Sequence, residues 1–209
     1  MKTQAWFPAS LLLLAVSLPA WAGAPATPPE ECVLFGQSTA IPNPDDPSLG
    51  AWKYCFTIQW FTSTLQPPDH LNVVLNLGDC PCVCELFPFA ATDPAGSSSG
   101  VDQNGLPCTA LYHAGFECAG DPSMGIDEPL VQFVPYGGGC VPRPTGPGTF
   151  CFYSDWPPMP VPVDNLLISI KAGDEECYGE LLGVLPECTC PPSPVEIRTW
   201  GGIKRFFGE

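Results

Sequence analysis

Apolar and polar residues alternate well over residues 51–61, and this alternation is the clearest pattern in the chain. Successive side chains of an extended strand point to opposite faces, so one face of this segment is apolar and the other is polar. The apolar face consists of Trp52, Tyr54, Phe56, Ile58 and Trp60. The other face consists of Lys53, Cys55, Thr57 and Gln59. The pattern predicts a half-buried β-strand.

A second alternating segment covers residues 70–78. It predicts a strand with Asn72 and Asn76 outward and with four apolar side chains inward: Leu71, Val73, Leu75 and Leu77. Six further segments have the alternation or the short apolar runs that are typical of strands: residues 31–36, 82–90, 129–135, 148–154, 165–173 and 177–186. Between residues 23 and 194 we find no segment that predicts a helix.

Clusters of turn-forming residues separate the predicted strands, as in residues 42–50 and 92–100. The 28 prolines and 21 glycines punctuate apolar runs instead of forming low-complexity tracts. About eight short strands with turn-rich links predict an all-β fold. We expect a single antiparallel β-sandwich, Ig-like or jelly-roll-like and stapled by disulfides, with a closed β-barrel as the alternative.

The first 22 residues have the features of a secretory signal peptide. Lys2 gives a short positive region, residues 11–18 are apolar, and Ala20-Trp21-Ala22 forms a cleavage site of small residues. The apolar run is too short for a membrane span, and no later segment is long and apolar enough to provide one. We therefore expect a secreted, extracellular or cell-surface protein, with the periplasm as an alternative location.

Twelve cysteines lie after the predicted cleavage site, and an even number in an exported chain predicts disulfides. They are Cys32, Cys55, Cys80, Cys82, Cys84, Cys108, Cys118, Cys140, Cys151, Cys177, Cys188 and Cys190. Their spacing leaves the pairing open. Zinc sites favour a C-x2-C spacing, often with histidine, and this chain has C-x-C spacings and two histidines, so we expect no metal site at the cysteines.

The C-x-C spacing occurs twice. On an extended strand, Cys80, Cys82 and Cys84 would all point to one face and would suit partners on neighbouring elements. Cys188 and Cys190 have the same spacing. A cross-strand ladder between the two motifs matches both spacings, and the sequence does not choose it over other pairings.

The charge is strongly acidic except at the C-terminus. Residues 23–194 hold three basic and twenty acidic residues, whereas residues 195–209 hold three basic and two acidic ones. An acidic body repels nucleic acid, so we expect no nucleic-acid partner. The acidic segments 43–48 and 172–176 raise calcium as an alternative, but neither has the EF-hand spacing, and we expect no cofactor.

Catalytic motifs are scarce. Residues 96–100 match G-x-S-x-G around Ser98, but that motif needs a strand before it and a helix after it, and here it stands in a segment with the composition of a flexible loop. A Ser-His-Asp site would have to use His70 or His113. We therefore expect no enzymatic activity, and a secreted hydrolase is only the third interpretation.

Aromatic residues in predicted loops are the candidate ligand-binding residues, since exposed rings stack on sugars and anchor interfaces. Trp156 in "YSDWPPMP" and Tyr136 in "VPYGGG" are the two selected. The opposing interpretation is that each ring covers the core from a loop. We expect a non-enzymatic surface or extracellular protein of structural or adhesive role, with a protein or glycan partner at the cell surface. A carbohydrate-binding module is the alternative.

The last fifteen residues differ in composition from the rest of the chain. We divide the chain into a signal peptide (1–22), a β-domain (23–190), a proline-rich linker (191–194) and an aromatic-basic tail (195–209). The tail resembles the short C-terminal sorting tails of bacterial exported proteins. It could contact a secretion apparatus, lie on a membrane or partner surface, or dock on its own acidic body. Its contact residues would be Ile197, Arg198, Trp200, Ile203, Lys204, Arg205, Phe206 and Phe207.

Overall fold

The computed structural model describes residues 31–75 and 83–187. The predicted signal peptide, linker and tail lie outside these residues, as do Cys80, Cys82, Cys188 and Cys190. The first six strands are β1 (Val33–Pro42), β2 (Trp52–Phe61), β3 (His70–Val74), β4 (Gly96–Asp102), β5 (Pro107–Glu117) and β6 (Leu130–Tyr136). The others are β7 (Cys140–Pro142), β8 (Gly148–Ser154), β9 (Pro158–Pro160), β10 (Ile168–Ala172), β11 (Glu175–Leu182) and β12 (Val184–Pro186).

Nine of these strands close into a barrel, which confirms the all-β prediction in its alternative form. The order around the barrel is β5-β6-β3-β10-β11-β1-β2-β8-β4, and β4 pairs with β5 to complete the ring. Every neighbouring pair is antiparallel except β1 with β11, which is parallel. The closure depends on the β4–β5 pairing, because this pairing joins the two edges that an open sheet would leave free.

The alternation in β2 has the predicted effect. Tyr54, Phe56, Ile58 and Trp60 are buried in the barrel core, and Thr57 and Gln59 between them are exposed. Large aromatic side chains from β2 and β8 fill the interior, where the ring of Phe152 stacks on Tyr54 and on Phe56. The barrel therefore encloses a packed core of side chains, as small barrels do.

The eight cysteines in the described part of the chain form four disulfides, as predicted for an exported chain. The pairs are Cys32–Cys177, Cys55–Cys151, Cys84–Cys118 and Cys108–Cys140. Cys55 and Cys151 lie directly opposite each other on β2 and β8. Each bond joins positions at least 32 residues apart, so each removes conformational freedom from the unfolded chain.

The predicted strand at residues 82–90 is wrong. Residues Val83–Leu86 form a one-turn helix, α1, and the backbone of the described segment pairs with the sheet at an isolated bridge between Ala90 and Tyr153. The reason is tertiary packing: Phe87 is buried, and its ring contacts Phe116 and Trp156. Cys84 therefore lies on a helix and not on a strand face shared with Cys80 and Cys82.

The flexible loop predicted around residues 96–100 is also wrong. These residues form most of β4, and the following strand β5, which the sequence pattern did not indicate, pairs with them. Ser98 is buried, and its hydroxyl lies 2.9 Å from the Tyr112 hydroxyl. The strand has the composition of a linker because its small residues face bulky rings in the barrel.

Candidate functional site

Tyr136 lies at the end of β6, where the chain turns toward β7. Its ring stacks on the imidazole of His113 from β5, with 3.5 Å between ring centroids and 17° between ring planes. Both side chains are at the surface, and the stack fixes the orientation of the phenol ring. Of the two aromatic residues selected from the sequence, this one lines a surface cleft.

Asp93 holds the stacked pair together. Its carboxylate lies 3.2 Å from Nδ1 of His113. The hydrogen bond between the Tyr136 hydroxyl and the Asp93 carboxylate raises the pKa of the phenol, and partial burial acts in the same direction. A carboxylate from the segment before β4, an imidazole from β5 and a phenol from β6 thus form one exposed polar cluster.

The cleft beside Tyr136 has a volume of about 320 Å³. Its walls are mainly apolar and rigid, because prolines form a large part of them. The lining residues include Pro67, Pro68, Asp69, Pro135, Tyr136 and Pro142. Rigid apolar walls with a small number of polar groups are typical of ligand sites on proteins.

Hydrogen bonds fix the wall that contains Pro67 and Pro68. The Glu175 carboxylate accepts four hydrogen bonds, from the backbone N–H and the hydroxyl of both Ser63 and Thr64. Burial alone would raise the pKa of Glu175, but these four hydrogen bonds outweigh it and lower the pKa to about 2. The backbone N–H of Asp69 donates to Lys171 O, and its carboxylate accepts from Gly173 N.

A disulfide supports the opposite wall. Cys140 begins β7, lines the cleft and is bonded to Cys108 of β5. The three glycines of the β6–β7 turn carry no side chains that could obstruct the opening, and Gly138 is among the lining residues. Both walls are therefore held before a ligand binds, which reduces the entropy lost on binding.

Trp156 has a different setting. It is half-buried and packs edge-on against Phe87, with 5.1 Å between ring centroids. Its carbonyl oxygen accepts a hydrogen bond from the buried Tyr54 hydroxyl. Trp156 therefore covers one end of the barrel core, as the opposing interpretation of this residue supposed.

The surroundings of His70 differ from those that a Ser-His-Asp site requires. His70 Nε2 lies 2.7 Å from Asp121 Oδ2, but the nearby Ser123 hydroxyl donates to Asp121 Oδ1 and not to the imidazole. Burial alone would raise the pKa of Asp121, and hydrogen bonds from Ser123 and Asn72 together with His70 outweigh it and lower the pKa. The imidazole of a triad must stand between the serine and the carboxylate.

This network also explains the burial of Asn72, which the alternating pattern places outward. Asn72 does lie on the outer face of β3, but it is fully buried, because the segment that contains Asp121 and Met124 covers it. Its amide also donates to Ser169 and accepts from Gln132. An alternating pattern indicates which face a residue occupies, but not whether a loop covers that face.

In both acidic segments considered for calcium, carboxylates form hydrogen bonds to other groups of the protein. Asp45 binds the Lys53 ammonium and the Tyr153 hydroxyl, and Asp46 caps the short 3-10 helix Pro47–Leu49. Across residues 31–75 and 83–187, no three His, Cys, Asp or Glu side chains converge as metal ligands would.

The eight contact residues predicted in the tail lie outside the described part of the chain. Among the described residues, no helix has the length and apolar character needed to cross a membrane. Comparison with known proteins found no match to a family model, to a curated protein or to a solved structure.

Proposed function

We propose that this chain is an exported, non-enzymatic structural or adhesive protein that binds its partner at the cleft beside Tyr136. The four disulfides and the all-β fold fit a protein stabilised by disulfides outside the reducing cytoplasm. The observation that carries the proposal is the cleft itself, in which a fixed aromatic ring and several prolines surround one carboxylate.

The chemistry of the cleft suits recognition more than catalysis. Its one acidic side chain, Asp69, already accepts a hydrogen bond from Gly173, and the described lining offers neither a second carboxylate nor a nucleophile positioned beside a base. Tyrosine and proline surfaces instead supply apolar contact area with little loss of side-chain entropy on binding.

A carbohydrate-binding module is the second candidate, and the same ring favours it. The apolar face of a sugar stacks on aromatic rings, and the Asp69 and Asp93 carboxylates and the Tyr136 oxygen could accept hydrogen bonds from sugar hydroxyl groups. The two candidates share a site and differ in the chemistry of the ligand, so one experiment separates them.

The experiment measures binding of the mature chain to a panel of glycans and purified cell-surface proteins, with and without Tyr136→Ala. We expect binding to at least one protein, and a loss of about thirty-fold in affinity for the variant, as for an aromatic anchor worth about 2 kcal/mol. Glycan binding with the same loss would instead support the carbohydrate-binding module.

Two control variants make the result specific. Leu106→Ala removes an exposed apolar side chain from the β4–β5 turn, outside the cleft, and should leave binding unchanged. Trp156→Ala should lower thermal stability, because Trp156 packs on Phe87, without removing a ligand contact. Binding that survives Tyr136→Ala in a folded chain would rule out the cleft as the site.

A further inference from the structure

The outer face of β1 and β11 carries a patch of exposed apolar side chains. Val33 and Phe35 on β1 are 54% and 42% exposed, and Tyr178 on β11 is 41% exposed. Phe35 lies beside Glu180 in the parallel pairing, and Val33 and Tyr178 stand two positions earlier on their strands, so these three apolar side chains share one face. Single exposed apolar residues are ordinary on protein surfaces, but contiguous ones mark interaction sites.

A cavity of about 430 Å³ opens at one side of this patch. The ring of Tyr178 belongs to both, and the remaining described lining is mostly aliphatic, with one carboxylate: Val74, Gly125, Ile126, Glu128, Leu166 and Leu167. Leu166 is 65% exposed at the opening. We call the patch and the cavity together the β1–β11 face.

The cavity wall formed by Gly125 and Ile126 is anchored firmly. The Tyr178 hydroxyl donates to Met124 O, and the Lys171 ammonium donates to Ser123 O. The carboxylate of Asp121, at the start of the same segment, is hydrogen-bonded to the side chains of His70 and Asn72 on β3. The cavity is therefore present before anything binds in it.

Charge indicates what kind of segment would cover the face. Glu128, Glu176 and Glu180 lie in or beside it, and Lys171, a neighbouring cation of the described part of the chain, already contacts Ser123 and Glu176. The occupant should thus be apolar and basic. Residues 23–194 hold three basic residues in all, whereas residues 195–209 hold three basic residues together with Trp200, Phe206 and Phe207.

The C-terminal segment also begins close enough to reach the face. Leu182, 48% exposed, lies on the outer side of β11, and Glu187 follows five residues later, so it is no more than about 17 Å away. Seven residues separate Glu187 from residue 195, and an extended segment of that length spans up to about 25 Å. No fifteen-residue stretch within residues 1–194 holds three basic residues.

We infer that residues 195–209 of the same chain dock on the β1–β11 face, with an aromatic side chain in the cavity and the basic side chains against Glu128, Glu176 and Glu180. The segment would cover an apolar surface that is otherwise exposed to water. This inference concerns a surface separate from the Tyr136 cleft and does not depend on the proposed function.

The test places a photo-crosslinking residue on the face of the full mature chain. Phe35→p-benzoylphenylalanine should crosslink to a peptide from residues 195–209, in a product with the mass of one chain. The matched control is Val134→p-benzoylphenylalanine, because Val134 is 40% exposed on β6, which is four strands from β1 around the barrel. The control should give no such product.

A second variant separates docking from chance proximity. Reversing the three charges, with Arg198→Glu, Lys204→Glu and Arg205→Glu in one chain, should lower the yield from position 35 by about tenfold, as expected for three lost surface ion pairs. Equal yields at positions 35 and 134 would overturn the inference. So would a crosslink found only between two chains, which would make a second copy the occupant, or a mature chain whose mass lacks residues 195–209.

Discussion

Single carboxylates in this acidic chain have well-defined structural roles, and Glu175 is the clearest example. Its oxygens accept the four hydrogen bonds from Ser63 and Thr64 and so hold the segment that leads to the Pro67 wall of the cleft. A carboxylate that accepts several hydrogen bonds is stabilised in its charged form. The folded protein therefore favours the deprotonated Glu175.

Glu175 should make the stability of the barrel depend on pH in the acidic range. Its pKa is about 2 in the folded chain and 4.5 ordinarily, so its contribution is fully present above about pH 4.5 and is lost as the pH falls toward 2. Since the side chain is partly exposed, we discount the shift and expect Glu175→Gln to lower the free energy of unfolding by about 1–2 kcal/mol at pH 7.

Denaturant unfolding of both chains at pH 7 and at pH 2, with the disulfides intact, measures this difference. The two chains should differ at pH 7 and converge at pH 2. Asp174→Asn, a change of the neighbouring carboxylate, is the matched control, because the hydrogen bonds from Ser63 and Thr64 go to Glu175 and not to Asp174. A difference that persists unchanged at pH 2 would mean that the charge is not responsible.

At the scale of strands, packing against large rings explains what the sequence pattern could and could not predict. β2 and β8 were predicted within one residue because their aromatic residues alternate with polar ones. The sequence pattern did not predict β4, because the residues of this strand are small. They are small because large rings lie next to them: a Cβ on Gly96 would stand 2.5 Å from the Phe150 ring. Residues that fit opposite bulky rings look like linker residues when the sequence is considered alone.

The sequence pattern also could not predict which strands are adjacent. The barrel differs from the expected sandwich through the β4–β5 pairing, which depends on a strand that the pattern did not indicate. The sequence pattern likewise could not distinguish which candidate aromatic residue lines a cleft. Tyr136 and Trp156 looked alike as loop aromatics, and only the contacts of His113 and Phe87 distinguish a ring at a cleft from a ring that covers the core.

Gly179 on β11 is required by the parallel pairing of β1 with β11. A Cβ at this position would overlap the carbonyl oxygen of Leu34 on β1, which is backbone and has little freedom to move. We expect Gly179→Ala to lower the free energy of unfolding by about 3 kcal/mol or more. The measurement is chemical unfolding with the disulfides intact.

Gly115→Ala on β5 is the control, because the nearest atom outside its chain neighbours would be the flexible Glu117 carboxylate at 3.6 Å. Its effect should stay within about 0.5 kcal/mol. If the two alanine variants were equally stable, the close approach of β1 and β11 at Gly179 would not be present in solution.

At the scale of the whole molecule, the disulfides tie together parts of the chain that are distant in sequence. Cys32–Cys177 connects the residue before β1 to strand β11, across 145 residues. Cys80, Cys82, Cys188 and Cys190 lie outside the described residues. Disulfide pairing between the two C-x-C motifs therefore stays a hypothesis. Peptide mapping of the unreduced mature chain tests it, since a bond within either C-x-C motif would contradict it.

Two roles compete for the tail, docking on the β1–β11 face and sorting, and removal of the tail should have different effects in the two cases. If residues 195–209 cover the β1–β11 face, a chain that ends at Pro194 should reach the same compartment but expose Val33, Phe35 and Tyr178. It should then bind a hydrophobic dye more strongly than the full chain and aggregate at lower concentration, because a contiguous apolar patch is open to water.

Cell fractionation and dye binding on the two chains measure both effects, and equal protease resistance verifies that the shorter chain has folded. A folded shorter chain in a different compartment, with unchanged dye binding, would instead identify the tail as a sorting signal read by a secretion apparatus.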